Sequence, residues 1–598
     1  MDRKSIVVLV VCFLLLMLWM PFLNVIFPPQ PAPIGMATNS LSGSPVVLPE
    51  RGTDRMVEPT ISNPSLPADA WIRPQAREEL VTFENPEARY IFTSHGGGLK
   101  TVELKGFNQA VGCVRKHVET TNSPVTLNDN ALVPALAFFG GPALQDNLPF
   151  RVERTLSGVR AEKVLPNGVA IVKEFNLGTN YLIEVTVRVE NRSELPLDLP
   201  LQELVVGTAT PINVRDNGQF LGVQWYNGTD SEFINQAWFD NYVGGCGCLP
   251  ARPRSEFVSA GSSNVVWTAV HNQFFAMIAA PQTNTFRVVA RRVDLPPPGA
   301  DVLSAYPDAV QKPFGYQTAI VYSATTLEPG AVLERRVDLF AGPKEYNTLA
   351  QLPRSQDLAM NFTTFFGWFA KALLLSMNFL HNSFGLAYGL AIIVITVLIK
   401  LAFWPLTQAS TRSMKRMQTL QPQMKLLQEK YKDDPKKMNQ KLMEFMKENR
   451  VNPMGGCLPI LIQIPVFIGF YQMLQSAIEL RGARFLWACD LSQPDTIAML
   501  FGFPLNPLPL IMGATQFWQA RMTPPSPGMD PVQAKMMQYM PLIFIVVLYN
   551  FSSGLALYWT INNLLSILQM KLTKVSSVAV ATTPAPPARR PLPPNKKR

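Results

Sequence analysis

Leu386-Ala-Tyr-Gly-Leu-Ala-Ile-Ile-Val-Ile-Thr-Val-Leu-Ile-Lys400-Leu-Ala-Phe-Trp404 is the stretch that decides the fold, and Pro405 follows it. A second apolar run opens with Cys457-Leu-Pro-Ile-Leu-Ile-Gln-Ile-Pro-Val-Phe-Ile-Gly-Phe470 and continues to about Leu480. Each run is close to the ~20 residues that a helix needs to cross a bilayer. The segment between them is too charged to enter hydrocarbon. The pattern predicts a membrane hairpin with a basic insert and one lysine inside the first span.

The rest of the 598-residue chain is uneven in composition. Residues 1–27 predict an uncleaved signal-anchor helix with a cytoplasmic N-terminus, because Arg3 and Lys4 precede the apolar run and no small-residue cleavage site follows directly. Residues 28–78, rich in Pro and Ser, predict an extended linker. The net charge of +10 is concentrated beside the apolar runs. It favours membrane orientation and contact with anionic lipid or RNA over soluble nucleic-acid binding.

Residues 79–346 have the period-two pattern of β-strands. Ile183–Glu190 alternates apolar and polar side chains, and Val169–Phe175 follows the tight-turn signal Asn167-Gly168. Two more segments with strand character are Asn284–Val293 and Val332–Phe340. The segment predicts a large antiparallel β-sandwich, which is extracytoplasmic because the first span ends outside.

Residues 347–384 predict a connector followed by an interfacial helix, since about Phe362 to Asn382 is aromatic and apolar with few charges. The alternative is one more span, which would invert the orientation of everything after it. Charge argues against inversion, because the insert 407–450 has more basic than acidic residues and the tail 573–598 has no acid. Both segments are therefore predicted to be cytoplasmic.

These assignments define a membrane core at residues 385–572. An outer loop at about 481–499, a span at about 500–521 and a last pair of spans at about 537–571 complete it. The predicted fold is a polytopic α-helical membrane protein with six transmembrane helices, both termini inside, and a large extracytoplasmic antiparallel β-sandwich domain.

Lys400 is the most informative single residue for function, because a lysine inside a membrane span costs free energy unless it contacts water, a partner group or the membrane interface. Position alone favours a side chain that extends to the cytoplasmic headgroups. The functional alternative is a fixed positive charge in a wet cavity, with Thr396 on the same helical face. Other polar side chains recur inside the spans: Gln463, Gln472, Gln516, Gln519, Thr560, Asn562 and Asn563.

Each of these polar residues alone is explained by hydrogen bonding between helices. Together with Lys400 they predict a polar groove. No acidic residue lies mid-span, which counts against a proton-coupled or cation-coupled transporter.

The insert predicts two helices, Gln408–Tyr431 and Lys436–Asn449, joined by the turn Asp433-Asp434-Pro435. Pro422 is expected to kink or interrupt the first helix. A methionine stripe is typical of a hairpin whose apolar faces bury each other, and also of an adaptable surface for client proteins or partners. Its members are Met414, Met417, Met424, Met438 and Met446.

The six cysteines give no metal-binding spacing. Cys12, Cys457 and Cys489 lie in or beside apolar spans. Cys246 and Cys248 are too close for an unstrained mutual bridge, so Cys113 pairs with one of them in an oxidising compartment or all remain unpaired. The sequence also has no His-Glu-x-x-His, phosphate loop or Gly-x-Ser-x-Gly. No enzymatic activity, cofactor or metal is predicted.

An ordered set of motifs within about 360–572 resembles the YidC family of membrane-protein insertases. The motifs are Pro405-Leu-Thr407, Leu420-Gln-Pro422, the turn Asp433-Asp434, Val451-Asn-Pro-Met-Gly-Gly-Cys-Leu-Pro459, Leu461-Ile-Gln-Ile-Pro465, Ser553-Gly-Leu555 and Leu557-Tyr558. The outer domain resembles the family more loosely, through its β pattern and Phe340-Ala-Gly-Pro343. Such a large outer domain resembles the Gram-negative type, whose fold is similar to a sugar-binding β-supersandwich.

The resemblance implies a five-helix insertase core in an inner membrane, with a hydrophilic groove open to the cytoplasm and to lipid. It places Lys400 and Thr396 in that groove, where relatives usually have arginine at the first position. Lysine keeps the charge but loses the bidentate geometry. In the last span Tyr558-Trp559 stands where a Tyr-Tyr pair is usual. With Gln463 and Gln516, these residues are the candidate contacts for client proteins.

The predicted function is insertion and folding of nascent inner-membrane proteins, alone or with a Sec-type translocon. The basic tail is a candidate contact for the ribosome or anionic lipid, or simply a disordered topology anchor. One alternative is a small-solute channel or transporter lined by the polar mid-span residues. Another is a carbohydrate-active envelope enzyme, which requires paired carboxylates in a cleft of the outer domain.

Overall fold

The computed structural model describes residues 74–111, 123–141, 144, 146–241, 252–261, 264–283, 285–306, 309–362, 366–432, 434–449, 458–501, 503–522 and 531–573. The signal-anchor segment, most of the linker, nearly all of the basic tail and the cysteines other than Cys489 lie outside these residues. The chain divides into two compact units. The first is Met1–Ile392 with Phe467–Pro507 and Asn550–Leu555, and the second is Ile393–Val466 with Leu508–Tyr549 and Ala556–Arg598.

The first unit contains the β-strands of the structure. In chain order they are β1 Leu80–Glu84, β2 Ala88–Thr93, β3 Gly98–Asn108, β4 Pro124–Leu127, β5 Phe138–Phe139, β6 Arg151–Arg154, β7 Gly158–Val164, β8 Val169–Leu177, β9 Leu182–Asn191, β10 Leu197–Leu199, β11 Gln202–Ala209, β12 Gly222–Tyr226, β13 Ser231–Asn235, β14 Glu256–Val258, β15 Trp267–His271, β16 Phe275–Pro281, β17 Arg287–Asp294, β18 Phe314–Tyr322, β19 Thr325–Leu327, β20 Val332–Pro343, β21 Ala498–Leu500 and β22 Phe503–Leu505.

Two antiparallel sheets form the body of this unit. The nine-stranded sheet has the order β13-β12-β15-β16-β20-β9-β8-β7-β6, and the five-stranded sheet has the order β14-β17-β18-β11-β5. Strands β11 and β18 pack against β15. A four-stranded sheet, β1-β2-β3-β4, packs through β1 against β6 and β7. The prediction of a predominantly antiparallel β domain is confirmed.

The alternation read from the sequence appears directly in β9. Ile183, Val185, Val187 and Val189 are all at most 2% exposed, whereas Glu184 is exposed. Burying each such side chain contributes about 1.5–3 kcal/mol. The turn before β8 also forms as predicted, because Gly168 has a φ of 80° and donates its N–H to the carbonyl of Leu165 at 3.0 Å.

Eleven helices are found in the described part of the chain. They are α1 Gln236–Asp240, α2 Ala300–Ala305, α3 Tyr346–Gln351, α4 Gly367–Phe384, α5 Tyr388–Ala402, α6 Trp404–Lys430, α7 Pro435–Glu448, α8 Leu458–Ser476, α9 Pro507–Met522, α10 Pro531–Leu548 and α11 Ser553–Leu572. Short 3-10 turns occupy Gln356–Met360 and Ile478–Leu480.

The span predicted at about 500–521 begins later than expected. Residues 498–505 form the hairpin β21–β22, and the helix starts only at Pro507. Pro507 suits the first turn of a helix, where its missing N–H costs nothing. Within the described residues no single helix combines the length and apolar character of a membrane span, whereas α5 and α6 do so together across a bend of 67°.

The two helices of the basic insert form as predicted. Asp434 accepts a hydrogen bond from the N–H of Lys437 at 3.1 Å and caps α7. Pro422 was expected to kink or interrupt the first helix, and it does not interrupt it, because α6 continues through this residue from Trp404 to Lys430.

Candidate functional site

Lys400 lies near the end of α5 and contacts α11 within the second unit. Its ammonium Nζ donates to Ser566 Oγ at 2.7 Å and to Asn562 Oδ1 at 3.3 Å. Both partners are neutral, and no acidic side chain in the described ranges forms an ion pair with it. The charge is therefore held by polar groups of a neighbouring helix and keeps its capacity to attract an anion.

The partners of Lys400 belong to a continuous polar face of α11. Asn562, Ser566, Gln569 and Thr573 follow one another at intervals of four, three and four residues, which places them on one side of the helix. Gln569 Nε2 donates to Thr407 Oγ1 at 2.7 Å, and Lys415 Nζ donates to the carbonyl of Thr573 at 2.6 Å. At 1.5 Å per residue this face, which we call the α11 polar face, is roughly 16 Å long.

Polar side chains also contact the chain at the bend between α5 and α6. Pro405 stands at the start of α6 and lacks an N–H, so the helical hydrogen bonding is interrupted there. Gln569 Nε2 also lies 3.4 Å from the carbonyl oxygen of Trp404, while Thr407 donates its hydroxyl to the carbonyl of Phe403 at 2.9 Å. The carbonyl of Phe403 also accepts the helical hydrogen bond from the Thr407 N–H at 3.0 Å, so these side chains add polar contacts at the start of α6.

Asn562 Nδ2, next to Lys400, is a buried polar atom with no hydrogen-bond partner in the part of the chain that the structure describes. The same holds for Gln516 Oε1 on α9. Leaving such an atom unpaired costs about 1–3 kcal/mol. A water molecule or another polar group would remove that cost.

A second polar contact joins α11 to α9. Asn563 Nδ2 donates to Thr515 Oγ1 at 3.3 Å, and both residues are buried. This pair fits the interpretation of polar residues as hydrogen bonds between helices.

The predicted site residues are only partly brought together. Thr396 is 2% exposed and lies one turn before Lys400 on α5. Gln463 on α8 and Gln516 on α9 form no hydrogen bond with Lys400 among the described residues. Tyr558 is buried on α11, and the ring of Trp559 lies 5.7 Å from that of Phe544.

Ser566 and Gln569 were missed by the sequence analysis. Serine and glutamine are unremarkable in isolation, and the available signal was their spacing after Asn562 on one helix face.

The methionines of the insert are largely buried. Met414, Met417, Met424 and Met446 are at most 9% exposed, and Met438 is partly buried. Met417, Met424 and Met438 belong to an apolar cluster between α6 and α7, and the role of the stripe as a surface for client proteins or partners stays a prediction. Exposed apolar side chains occur elsewhere on the pair, at Leu426 and Met443.

Cys489 corrects the cysteine analysis. It takes part in a disulfide bond, and the sequence analysis had not considered it as a disulfide partner. Among the described residues no group of His, Cys, Asp and Glu side chains is arranged to hold a metal ion.

Comparison with known proteins gives two family matches that together cover most of the chain. Residues 379–578 match the family described as 60Kd inner membrane protein, and residues 80–375 match the YidC periplasmic domain. A crystal structure titled as an active YidC insertase with its first transmembrane domain resolved is 17% identical. It covers 85% of this chain and 96% of its own, with a TM-score of 0.33.

Curated relatives extend over nearly the whole length. "Membrane protein insertase YidC" of Syntrophus aciditrophicus is 33% identical and covers 95% of this chain and 98% of its own. The protein of the same name from Cupriavidus necator is 34% identical and covers 86% of each chain. These relatives confirm two predictions. The protein is a membrane-embedded insertase that acts on nascent membrane proteins, and it belongs to a family of insertases and not of enzymes. The chain belongs to the YidC family of membrane protein insertases, which are inner membrane proteins.

Proposed function

We propose that Lys400 and the α11 polar face line a hydrophilic groove, open to the cytoplasm and to lipid, that receives the polar flank of a nascent membrane protein. The observation that carries the proposal is the pair of contacts from Lys400 Nζ to Ser566 and Asn562. They hold a cation against a polar helix face without neutralising it. Thr396, Gln463, Gln516, Tyr558 and Trp559 are the further candidate contacts of this groove.

The groove lowers the cost of moving polar groups through the membrane. An unpaired peptide group or charge in hydrocarbon costs several kcal/mol, and each group that meets water or a side chain in the groove avoids part of that cost. Lys400 attracts acidic residues of the flank. The apolar segment of the client then partitions into lipid, and this burial supplies the driving force without nucleotide hydrolysis.

The same proposal includes the orientation of the chain. Six spans place both termini and the insert 407–450 in the cytoplasm, and residues 79–346 in the periplasm as a supersandwich-like domain. Positive charge in the insert supports this orientation. The disulfide at Cys489 supports it as well, because disulfides persist in oxidising compartments and Cys489 lies in the predicted outer loop.

Two partners are proposed from composition alone. A Sec-type translocon would deliver clients that need both machines. The tail 573–598 would contact ribosomal RNA or anionic lipid through Lys574, Arg589, Arg590, Lys596, Lys597 and Arg598.

Crosslinking of ribosome-bound nascent chains tests the groove. A single cysteine replaces Thr396 on the proposed inner face of α5, and others replace Leu398 and Leu401, which are 56% and 57% exposed, on its outer face. We expect the polar flank of the client to crosslink at the inner position and its apolar segment at the outer ones. The reverse crosslinking pattern would contradict the proposed groove. Passage of small solutes into proteoliposomes without any client would instead support a channel or transporter.

A further inference from the structure

A cavity of about 520 Å³ lies in the first unit, away from Lys400. Its wall includes Phe233 and Asn235 of β13, His271 at the end of β15, and Lys344 just after β20. Gln475 and Ser476, the last residues of α8, complete the part of the wall that matters here. The cavity therefore joins the nine-stranded sheet to the end of one helix.

Lys344 is a buried amine whose side chain has no partner among the described residues. Lys344 is 3% exposed. In the described part of the chain its Nζ forms no hydrogen bond or ion pair. Only its backbone N–H is engaged, donating to the carbonyl of Phe274 at 2.8 Å. Burial lowers the pKa of Lys344 to about 7. An anionic oxygen brought into the cavity would favour the protonated form of this amine and pair with it.

His271 supplies the opposite hydrogen-bonding character. Its ring, in a residue 3% exposed, stacks on Phe233 with a centroid distance of 4.9 Å. Nδ1 lies 3.2 Å from the carbonyl oxygen of Asn272, which only accepts hydrogen bonds, so Nδ1 carries the proton. Burial, together with the charge of Lys344, keeps the pKa of His271 well below its usual value. Nε2 is therefore an unprotonated acceptor, and it has no partner among the described residues.

The remaining charged group of the wall does not neutralise Lys344. Asp240 is paired with Arg292 at 3.1 Å. On the α8 side, the carbonyl of Gln475 already accepts a hydrogen bond from Gln273 Nε2 at 3.1 Å. The wall of the cavity thus offers no anion to Lys344, and His271 Nε2 has no donor among the described residues.

We propose that this cavity binds a small hydroxylated anion of the glycerophosphate type, with a phosphate oxygen on Lys344 and a hydroxyl donated to His271 Nε2. The volume accommodates such a group, and one molecule supplies both missing partners. A soluble phosphate ester and the headgroup of phosphatidylglycerol share this chemistry. The headgroup is the natural source if the end of α8 lies at the outer membrane surface, as the proposed orientation places it. The site itself does not depend on how clients are inserted.

The test uses the full-length protein in nanodiscs of phosphatidylcholine, titrated calorimetrically with glycerol 3-phosphate, and the same protein in nanodiscs containing phosphatidylglycerol. The matched variants are Lys344→Met, His271→Phe and, as a control, Lys105→Met, whose lysine is an exposed partner of Glu84. We expect Lys344→Met to raise the Kd at least tenfold on the scale of a lost charge-assisted hydrogen bond. Lys105→Met should leave the Kd unchanged. Dimethyl phosphate, which has no hydroxyl, should bind the parent protein several-fold more weakly than glycerol 3-phosphate does. The His271→Phe variant should bind the two compounds equally well.

A second readout does not depend on any variant folding. The rate at which acetic anhydride modifies Lys344, followed by mass spectrometry, should fall about tenfold when the site is filled. Protection by phosphatidylglycerol nanodiscs identifies the headgroup as the source, and protection by glycerol 3-phosphate alone identifies a soluble ester. If neither probe changes the modification rate of Lys344, or if Lys344→Met binds as tightly as the parent protein, the proposal is overturned.

Discussion

Replacement of Lys400 is the perturbation that probes the groove most sharply. Its ammonium is fixed by Ser566 at 2.7 Å and Asn562 at 3.3 Å, so the charge has a defined position against α11. Arginine keeps the charge, glutamine keeps hydrogen bonding and loses the charge, and glutamate reverses it. We expect insertion to decline in the order Lys400→Arg, Lys400→Gln, Lys400→Glu.

The size of the effect follows from the distance at which a client carboxylate can approach. At about 6 Å and an effective dielectric constant of about 20, one pair of unit charges interacts by roughly 3 kcal/mol. Water in the groove and the mobility of the client reduce this to about 1 kcal/mol, which corresponds to about fivefold in rate for each acidic residue. Lys400→Glu replaces the attraction by a repulsion of similar size, so its deficit is about 25-fold for each acid.

The assay is insertion of single-span clients that differ only in the number of acidic residues in the translocated flank. For each variant the logarithm of the insertion rate is plotted against that number. The parent protein and Lys400→Arg should give similar slopes. Relative to the parent protein, each added acidic residue should slow insertion about fivefold for Lys400→Gln and about 25-fold for Lys400→Glu.

The control is Lys430→Gln, at the end of α6, which removes a charge that lies over the ring of Tyr431. It should leave the slope unchanged. A side chain that merely extends to the headgroups predicts that Lys400→Gln costs little and that client charge is irrelevant. If Lys400→Glu inserts every client as well as the parent protein does, the electrostatic role of Lys400 is refuted.

Three other predictions use different parts of the molecule. A cysteine at Asn439 in α7 should react with a membrane-impermeant reagent only from the cytoplasmic side, and labelling from outside in intact cells would reverse the orientation. Deleting residues 79 to about 320 should leave most insertion activity, because the α11 polar face lies in the second unit; complete loss with the truncated protein stable in the membrane would mean that the active part is misplaced. His271 has a folded-state pKa below its unfolded value, so its contribution to stability is complete above about pH 6.5 and is lost below it by about 1.4 kcal/mol per pH unit. Hydrogen exchange of β15 and β16 should show this slope in the parent protein and not in His271→Phe, and equal slopes would contradict the assignment.

The β domain was predictable because a half-buried strand leaves its mark in consecutive residues. Ile183 to Val189 alternate in the sequence, and the same residues alternate in burial. The pairing of β9 with β20, far along the chain, left no comparable mark, since strand order depends on contacts between distant segments. The helix boundary at Pro507 was missed for a related reason, because apolar residues 498–505 suit a hairpin as well as a span.

A site residue was predictable where its presence in a membrane span costs free energy, and unpredictable where its residue type is common there. Lys400 stood out because an intramembrane lysine requires an explanation. Ser566 and Gln569 did not, since their importance arises only when α11 faces the bend at Pro405. Lys344 and His271 were not predicted as site residues, because burial and not residue type makes them unusual.

Water accessibility of the α11 polar face tests the central claim most directly. Single cysteines at Ser566 and Gln569 are compared with cysteines at Leu564 and Leu568, which are 41% and 48% exposed on the outside of the second unit. A water-soluble, membrane-impermeant maleimide is added to the cytoplasmic side of inverted vesicles, with the parent protein as background. The groove predicts rapid labelling at Ser566 and Gln569, slow labelling at the two leucine positions, and protection of the first pair by a bound nascent chain. Labelling of the leucine positions alone, with Ser566 and Gln569 inert in every state, would contradict it.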